Sequence, residues 1–323
     1  MQIVSIDIGG THARFALAEV EAGAVVSLGE AVTMPTAEHA SFQTAWQAFG
    51  DHLGHDLPRA VAIAVAGPVT GDVIKFTNNP WIIRPALIRE KLNVDQWVLV
   101  NDFEAVGHAV AQASSEHFLH LCGPEGDLPE RGTISIIGPG TGLGVAHIWR
   151  GEGDYHVVPT EGGHIDFAPL DSIEDAILAR LRSRYRRVSA ERVVSGPGLV
   201  DIYEALAGIE GRAVLQHTDR ELWGLGTSGQ DPLAAAAVDR FCLSLGSVAG
   251  DVALAQGGKG VVIAGGLGLR LRDTLVKSGF AQRFRAKGRF EAMMSGLPVK
   301  LITHPQPGLF GAAAAFAKEC QGA

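Results

Sequence analysis

The stretch Val4-Ser5-Ile6-Asp7-Ile8-Gly9-Gly10-Thr11-His12-Ala13-Arg14-Phe15-Ala16-Leu17 decides how this chain folds. Val4, Ile6 and Ile8 alternate as the inward residues of a strand. Gly9-Gly10-Thr11 turns. Arg14 to Val20 then returns with apolar residues on both faces, as a buried central strand does. The pattern recurs about 130 residues later. Thr133 to Ile137 predicts a strand, Gly138-Pro139-Gly140-Thr141-Gly142 a glycine turn, and Leu143 to Arg150 a returning strand with Leu143, Val145, His147 and Trp149 alternating. Two copies of strand–glycine loop–strand predict two related lobes facing each other.

Such loops suit a nucleotide. A triphosphate needs main-chain N–H donors at close range, and residues without a Cβ let the backbone approach it. Thr11 adds a hydroxyl donor. Asp7 would repel a phosphate directly, so its natural role is to hold Mg²⁺ through water. An ordinary hairpin turn beside a solvated Asp is the plain alternative for either loop alone, whereas the pair argues for a nucleotide clamped between lobes. The second loop, Gly138 to Gly144, is not a dinucleotide fingerprint, because a strand rather than a helix follows it. No Gly-Lys-Ser/Thr follows either, so it is not a Walker loop. Lys259 to Ala264 predicts a buried strand running into Gly265-Gly266, a third close approach suited to the adenosine end, or a simple strand-to-helix turn.

Between the loops, Glu38 to Leu53 has helical spacing, and Arg59 to Ala66 is a short apolar strand. Pro68 to Lys75 predicts a hairpin turning near Thr70-Gly71. Pro85 to Leu92 predicts a short helix, and Trp97 to Val100 a strand ending at Asn101-Asp102, where a helix begins. The second half is more helical: Ile173 to Arg187, a helix opened by Ser195 as N-cap, and the long Ala-rich run Leu233 to Gln256. Pro298 to Ile302 is a further strand. Gly308 to Lys318 is a small-residue helix expected to dock back on the first lobe.

Four polar groups carry the chemistry. Asn101 and Asp102 both cap helices well. A carboxylate there also suits a general base, since an alcohol is a poor nucleophile until its proton leaves. The two roles are compatible. Glu161-Gly162-Gly163-His164 forms a tight polar loop, better suited to hydrogen bonding vicinal hydroxyls than to a metal, because no further ligands stand at set spacing. Glu191, taken alone, reads as a surface residue. Asn78-Asn79-Pro80-Trp81 mixes amides with an indole, as sugar sites do, though taken alone a turn with a core Trp is the better reading.

Composition excludes several classes. Acidic residues outnumber basic ones, 35 to 27, and a net charge of −8 argues against a nucleic-acid partner. The basic run Arg180, Arg182, Arg184, Arg186 and Arg187 reads as a solvated helix face. Cys122, Cys242 and Cys320 have neither disulfide nor zinc spacing. The N-terminus lacks the features of a signal peptide, and no run is expected to reach the roughly 20 apolar residues of a membrane span. A cytoplasmic protein is expected.

Taken together, Asp7-Ile-Gly-Gly-Thr-His-Ala-Arg, Thr77-Asn-Asn-Pro-Trp, Asn101-Asp-Phe, Gly138-Pro-Gly-Thr-Gly-Leu-Gly-Val-Ala-His, Glu161-Gly-Gly-His-Ile-Asp-Phe-Ala-Pro, Ser189-Ala-Glu-Arg-Val-Val-Ser-Gly-Pro-Gly-Leu and Gly265-Gly resemble the bacterial glucokinase family, in order and over almost the whole chain. The resemblance implies an α/β, two-lobed actin-like ATPase (ribonuclease H-like) fold of the hexokinase branch, with the active site in the interlobe cleft. It implies a small domain, residues 1–110 completed by 303–323, a large α+β domain, residues 111–302, and a homodimer. It implies transfer of a phosphoryl group from ATP, with Mg²⁺, to the 6-hydroxyl of glucose. Asp102 would be the base, Asn101, Glu161, His164 and Glu191 would bind the sugar's hydroxyls, and Asn79 would line the cleft. Ile6, Asp7, Ile8, Gly9, Gly10 and Thr11, with Gly138, Gly140, Thr141, Gly142 and Gly144, would bind the phosphates, and Gly265 and Gly266 the rest of the nucleotide. A kinase for another hexose, or a non-catalytic sugar sensor of the same fold, is the alternative. The neighbouring repressor/open-reading-frame/kinase group carries a Cys-rich zinc loop shortly after Glu-x-Gly-His. Here Ile165-Asp166-Phe167-Ala168-Pro169 follows, and no structural zinc is expected.

Overall fold

Residues 1–76 and 79–320 are described by the computed structural model. Thr77 and Asn78, part of the amide-and-indole segment, lie outside the described residues. The chain divides into one unit of Met1–Ser114 with His304–Ala323 and a second of Ser115–Thr303.

In the first unit, β1 (Gln2–Ile8) and β2 (His12–Glu21) form the expected hairpin, continued by β3 (Ala24–Leu28) and β4 (Val32–Pro35). β5 (Ala60–Val65) follows, then the short β6 (Ile74–Lys75) and β7 (Ile82–Ile83), then β8 (Gln96–Asn101). The main sheet runs β3-β2-β1-β5-β8, with β4 also on β2, and β1, β5 and β8 are parallel. All six residues of β5 are buried, because helices cover both faces of the sheet. On one face, helix Phe42–Leu53 turns Phe42, Ala45, Trp46 and Phe49 inward. On the other, helices Asp102–Gln112 and Pro307–Glu319 meet Ala60, Ala62 and Ala64 through Ala105, Ala312, Ala313 and Phe316. The small-residue helix thus packs in the first unit.

The second unit contains β9 (Phe118–Cys122), β10 (Gly132–Pro139), β11 (Leu143–Arg150), β12 (Tyr155–Thr160), β13 (Gly258–Ile263) and β14 (Val299–Ile302), in the order β12-β11-β10-β13-β14-β9. Its first five strands repeat the first sheet: an antiparallel three-strand meander, then two strands parallel to its first. The repeated sequence pattern is therefore a repeated topology. One large core lies between this sheet and helices Ser172–Arg184, Gly196–Ile209, Asp219–Ser228 and Pro232–Gln256.

Several expectations are corrected. No hairpin turns at Thr70-Gly71: Ile74 pairs instead with Ile83, burying both. The first helix begins at Phe42 rather than Glu38, because Ser41 and Thr44 form a reciprocal capping box. The helix expected to reach Arg187 ends at Arg184, where the chain turns so that Phe167 N–H can donate to Val188 O. The basic run is not simply solvated: Arg184 pairs with Asp201 and Glu204, and Arg187 with Asp166. Trp149 is half exposed, and its ring stacks on His156 across the β11–β12 pair. Helix Pro232–Gln256 is, by length and composition, long and apolar enough to cross a membrane, against expectation; most of that apolar stretch is buried in the second core.

Candidate functional site

β1, β5 and β8 end side by side, Ile8 against Val65 and Val65 against Asn101. Asp7, the first glycine loop, Asn101 and Asp102 therefore gather at the carboxyl edge of parallel strands, where α/β sheets bind their ligands. Gly9 N–H donates to His12 O at 2.9 Å, closing the turn. The loop's carbonyls are held from behind. Thr36 N–H donates to Thr11 O at 2.9 Å, Thr36 Oγ1 to Gly10 O at 3.3 Å, and Asn79 Nδ2 to Gly9 O at 3.2 Å. Among the described residues, the N–H groups of Gly10 and Thr11 meet no acceptor.

Asp7 stands opposite Arg14 in the hairpin, and Arg14 Nη1 lies 3.1 Å from its Oδ2. Burial pushes the Asp7 carboxyl above its ordinary range, and Arg14 opposes that. Its carboxylate also faces the start of helix Pro307–Glu319, where a Cβ on Gly308 would sit 2.7 Å from Oδ2.

Asn101 is the N-cap of helix Asp102–Gln112. Its Oδ1 accepts from Phe103 N–H at 2.8 Å and Glu104 N–H at 3.2 Å, while Nδ2 donates to Gly67 O at 3.0 Å. The neighbouring Asp102 is partly buried, and its Oδ1 accepts from Phe103 N–H at 2.9 Å. Burial, then the charge of Asp7, push the Asp102 pKa up to about 6, against the pull of local N–H donors. A carboxylate tuned towards neutrality suits proton abstraction. Asn79 is buried and already committed: besides holding Gly9, its Oδ1 accepts from Trp81 N–H at 2.9 Å. Trp81 is a core residue.

The second unit holds the other half of the candidate residues. In the second glycine loop Gly140 N–H donates to Gly142 O at 2.8 Å, and Gly140 O accepts from Gly196 N–H at 2.8 Å. Among the described residues, the N–H groups of Thr141 and Gly142 meet no acceptor. Gly265 lies against this loop. With φ at +79° and Pro139 O 2.7 Å from where its Cβ would be, it must be glycine. Glu161 and His164 are exposed, with His164 Nε2 3.8 Å from Glu161 Oε2. Between them, a Cβ on Gly163 would lie 2.1 Å from Leu143 O. Glu191 Oε2 accepts from Leu143 N–H at 2.9 Å. Glu161, His164 and Glu191 thus collect around the exit of the second glycine loop.

Arg14, Gly196 and Gly308 also belong to the site, although the sequence pattern gives them no role. Arg14 had a readable signal, since a hairpin closed by Gly9 and His12 puts residue 14 opposite residue 7. Gly196 and Gly308 had none, because their neighbours come from distant segments.

Comparison with known proteins shows the family. The glucokinase family model matches residues 4–319. A glucokinase from Zymomonas mobilis is 64% identical over 319 residues, 99% of this chain and 98% of that one. A crystal structure of a glucokinase from an Antarctic psychrotroph is 33% identical, with a TM-score of 0.87 and 98% of both chains covered. A glucokinase of the ROK family from Streptomyces griseus, solved with glucose and AMPPNP, is 19% identical with a TM-score of 0.61, covering 98% of this chain and 99% of that one, a likeness of fold alone.

Proposed function

The chain belongs to the glucokinase family, and from that premise we propose how its residues move the terminal phosphoryl group of ATP onto the 6-hydroxyl of glucose. It is an ATP-dependent hexose kinase. The observation that carries the mechanism is shared by both glycine loops. Each has carbonyls tied back by the fold and adjacent N–H groups, of Gly10 and Thr11 and of Thr141 and Gly142, that meet no acceptor among the described residues. Such N–H groups favour anionic oxygens. Phosphoryl transfer asks mainly for placement and charge neutralisation, which these loops supply.

Asp102 accepts the hydroxyl proton, so that the oxygen attacks as it loses it. Asn101, Glu161, His164 and Glu191 bind the remaining hydroxyls, with Asn79 holding the first loop in place. Gly265 and Gly266 border the rest of the nucleotide. Asp7 fits Mg²⁺ as a single carboxylate with one oxygen already steadied by Arg14. Among the described residues no group of three or more His, Cys, Asp or Glu could hold an ion. Phosphate oxygens and water would be the ion's direct ligands, with Asp7 holding it through water. When bound, Mg²⁺ neutralises charge on the phosphate oxygens. We assign the repeated sheet topology to the actin-like (ribonuclease H-like) fold, and read the protein as a cytoplasmic homodimer, as the family resemblance implies.

A coupled assay of ADP release across a panel of hexoses at fixed ATP tests this reading. Glucose is expected to rank first and to be required; ADP release indifferent to sugar would overturn it. Gly308→Ala should displace the Asp7 carboxylate, since crowding of this kind costs about 1–3 kcal/mol. The Mg²⁺ concentration for half-maximal rate should rise about tenfold, the equivalent of 1.4 kcal/mol. Titration of Mg²⁺ at fixed ATP and glucose checks it.

A further inference from the structure

Segment 189–198 touches both halves of the second unit's site. At one end, Ala190 N–H donates to Ile165 O at 2.8 Å, fixing the chain just after His164. In the middle, Glu191 Oε2 accepts from Leu143 N–H at 2.9 Å, where the glycine loop becomes β11. At the other end, Gly196 N–H donates to Gly140 O at 2.8 Å. Helix Gly196–Ile209 starts there, fixed by Ser195, whose Oγ accepts from Gly198 N–H at 3.2 Å. Leu143 is constrained on two sides: its N–H donates to Glu191, and its carbonyl lies so close to Gly163 that a Cβ there would sit 2.1 Å away.

The space around these contacts is fully used. A Cβ on Gly142 would fall 2.5 Å from Glu191 Oε2, and one on Gly163 would fall 2.1 Å from Leu143 O. Neither glycine has a positive φ. What crowds a side chain at 163 is fixed backbone, and at 142 it is the carboxylate end of Glu191, which a Cβ would push aside. Gly142 makes room for a carboxylate of the sugar set, and Gly163 makes room for the nucleotide loop.

We infer that segment 189–198 is a crossbar through which sugar and nucleotide sense one another: Glu191 positions the second glycine loop through Leu143, and Gly142 positions Glu191 for the sugar. The inference rests on the glucokinase reading, because it takes Glu191 as a sugar contact and the loop as a phosphate cradle. Its physical basis is that one carboxylate serves two partners. A hydroxyl bonded to Glu191 fixes the side chain that holds the loop amide, and an ordered loop fixes Glu191 in turn. Such coupling is reciprocal by thermodynamic necessity.

The test measures AMPPNP binding by calorimetry without sugar, for wild type, Glu191→Gln and Glu191→Ala, and glucose binding for wild type and Gly142→Ala. Glu191→Gln keeps an oxygen to accept from Leu143 N–H; Glu191→Ala does not. Without sugar, AMPPNP should bind Glu191→Ala about fivefold or more weakly, a loss in the range for a single hydrogen bond, and Glu191→Gln within about twofold of wild type. Gly142→Ala should weaken glucose binding by about tenfold although residue 142 lies in the nucleotide loop. Equal AMPPNP affinity in wild type and a folded Glu191→Ala would overturn the inference and leave the glucokinase reading standing. So would unchanged glucose affinity in Gly142→Ala. Thermal unfolding of each variant separates lost folding from lost binding, and Glu191→Gln, nearly isosteric, keeps the comparison interpretable. A wild type that binds no glucose would remove both the reading and the inference.

Discussion

Asp102→Asn should lower turnover by about 10²-fold or more while leaving glucose binding nearly intact, and should make the folded protein more stable at neutral pH. The two effects have one cause. Burial and the neighbouring charge of Asp7 raise the Asp102 pKa from 3.8 to about 6. An amide has no proton affinity to offer the sugar, so the base is lost while the shape remains. For stability, the folded state binds this proton more tightly than the unfolded chain. The side chain's favourable contribution is complete below about pH 4 and is lost as pH rises through about 6. At pH 7 the ionised carboxylate therefore works against folding, by up to about 3 kcal/mol at 1.36 kcal/mol per pH unit. Asparagine removes that cost. Thermal unfolding of the ligand-free protein should show the variant ahead of wild type at pH 7 and level with it near pH 4. Turnover close to wild type would remove Asp102 from the role of base.

Gly311→Ala should be the most damaging single methyl group in the first unit. Helices Asp102–Gln112 and Pro307–Glu319 meet so closely that a Cβ at 311 would lie 1.7 Å from Ala105 O and 2.4 Å from its carbon. Both atoms are backbone, so no side chain can swing aside. The helices must separate, and with them the alanine layer against β5 and the segment that presents Asp102. A loss of about 3 kcal/mol is expected, partly masked by the roughly 1 kcal/mol that alanine gains over glycine in a helix. Gly224→Ala provides the control. It too is a helical glycine, but nothing lies within 4 Å of its Cβ, and the site is exposed. There the same substitution should stabilise by up to about 1 kcal/mol. Urea unfolding of the two variants should give shifts of opposite sign. A stabilising shift in both would mean that the helix contact tolerates the methyl group.

Much of this was legible in the sequence because it rests on short-range rules. The hairpin of β1 and β2 follows from alternation around Gly9-Gly10-Thr11, and the second hairpin follows the same pattern. Ser195 announces a helix start by its hydroxyl, and Asn101 caps as its side chain demands. The basic run and Ile74 misled for the opposite reason. Their partners, Asp201, Glu204 and Ile83, stand at spacings that no periodicity marks. β9 has no sequence signal because it is a short edge strand whose partner among the described residues, β14, lies far away in the chain.

The candidate site divides along the same line. Asp102, both glycine loops and Glu161-Gly-Gly-His could be read as types of chemistry, because carboxylates, glycines and imidazoles carry their function with them. The state of each group had to be decided by folding. Asp102 owes its raised pKa to burial and to Asp7, 95 residues earlier in the chain by its numbering. Glu191 reads as a surface residue until the fold places it on the amide of Leu143. Sequence alone determined which elements form and which reactive groups they carry, since those depend on neighbours along the chain. Only the tertiary structure decided which carboxylate is tuned, which glycine is indispensable and which amide is left without an acceptor among the described residues, since desolvation, crowding and hydrogen bonding depend on neighbours in space.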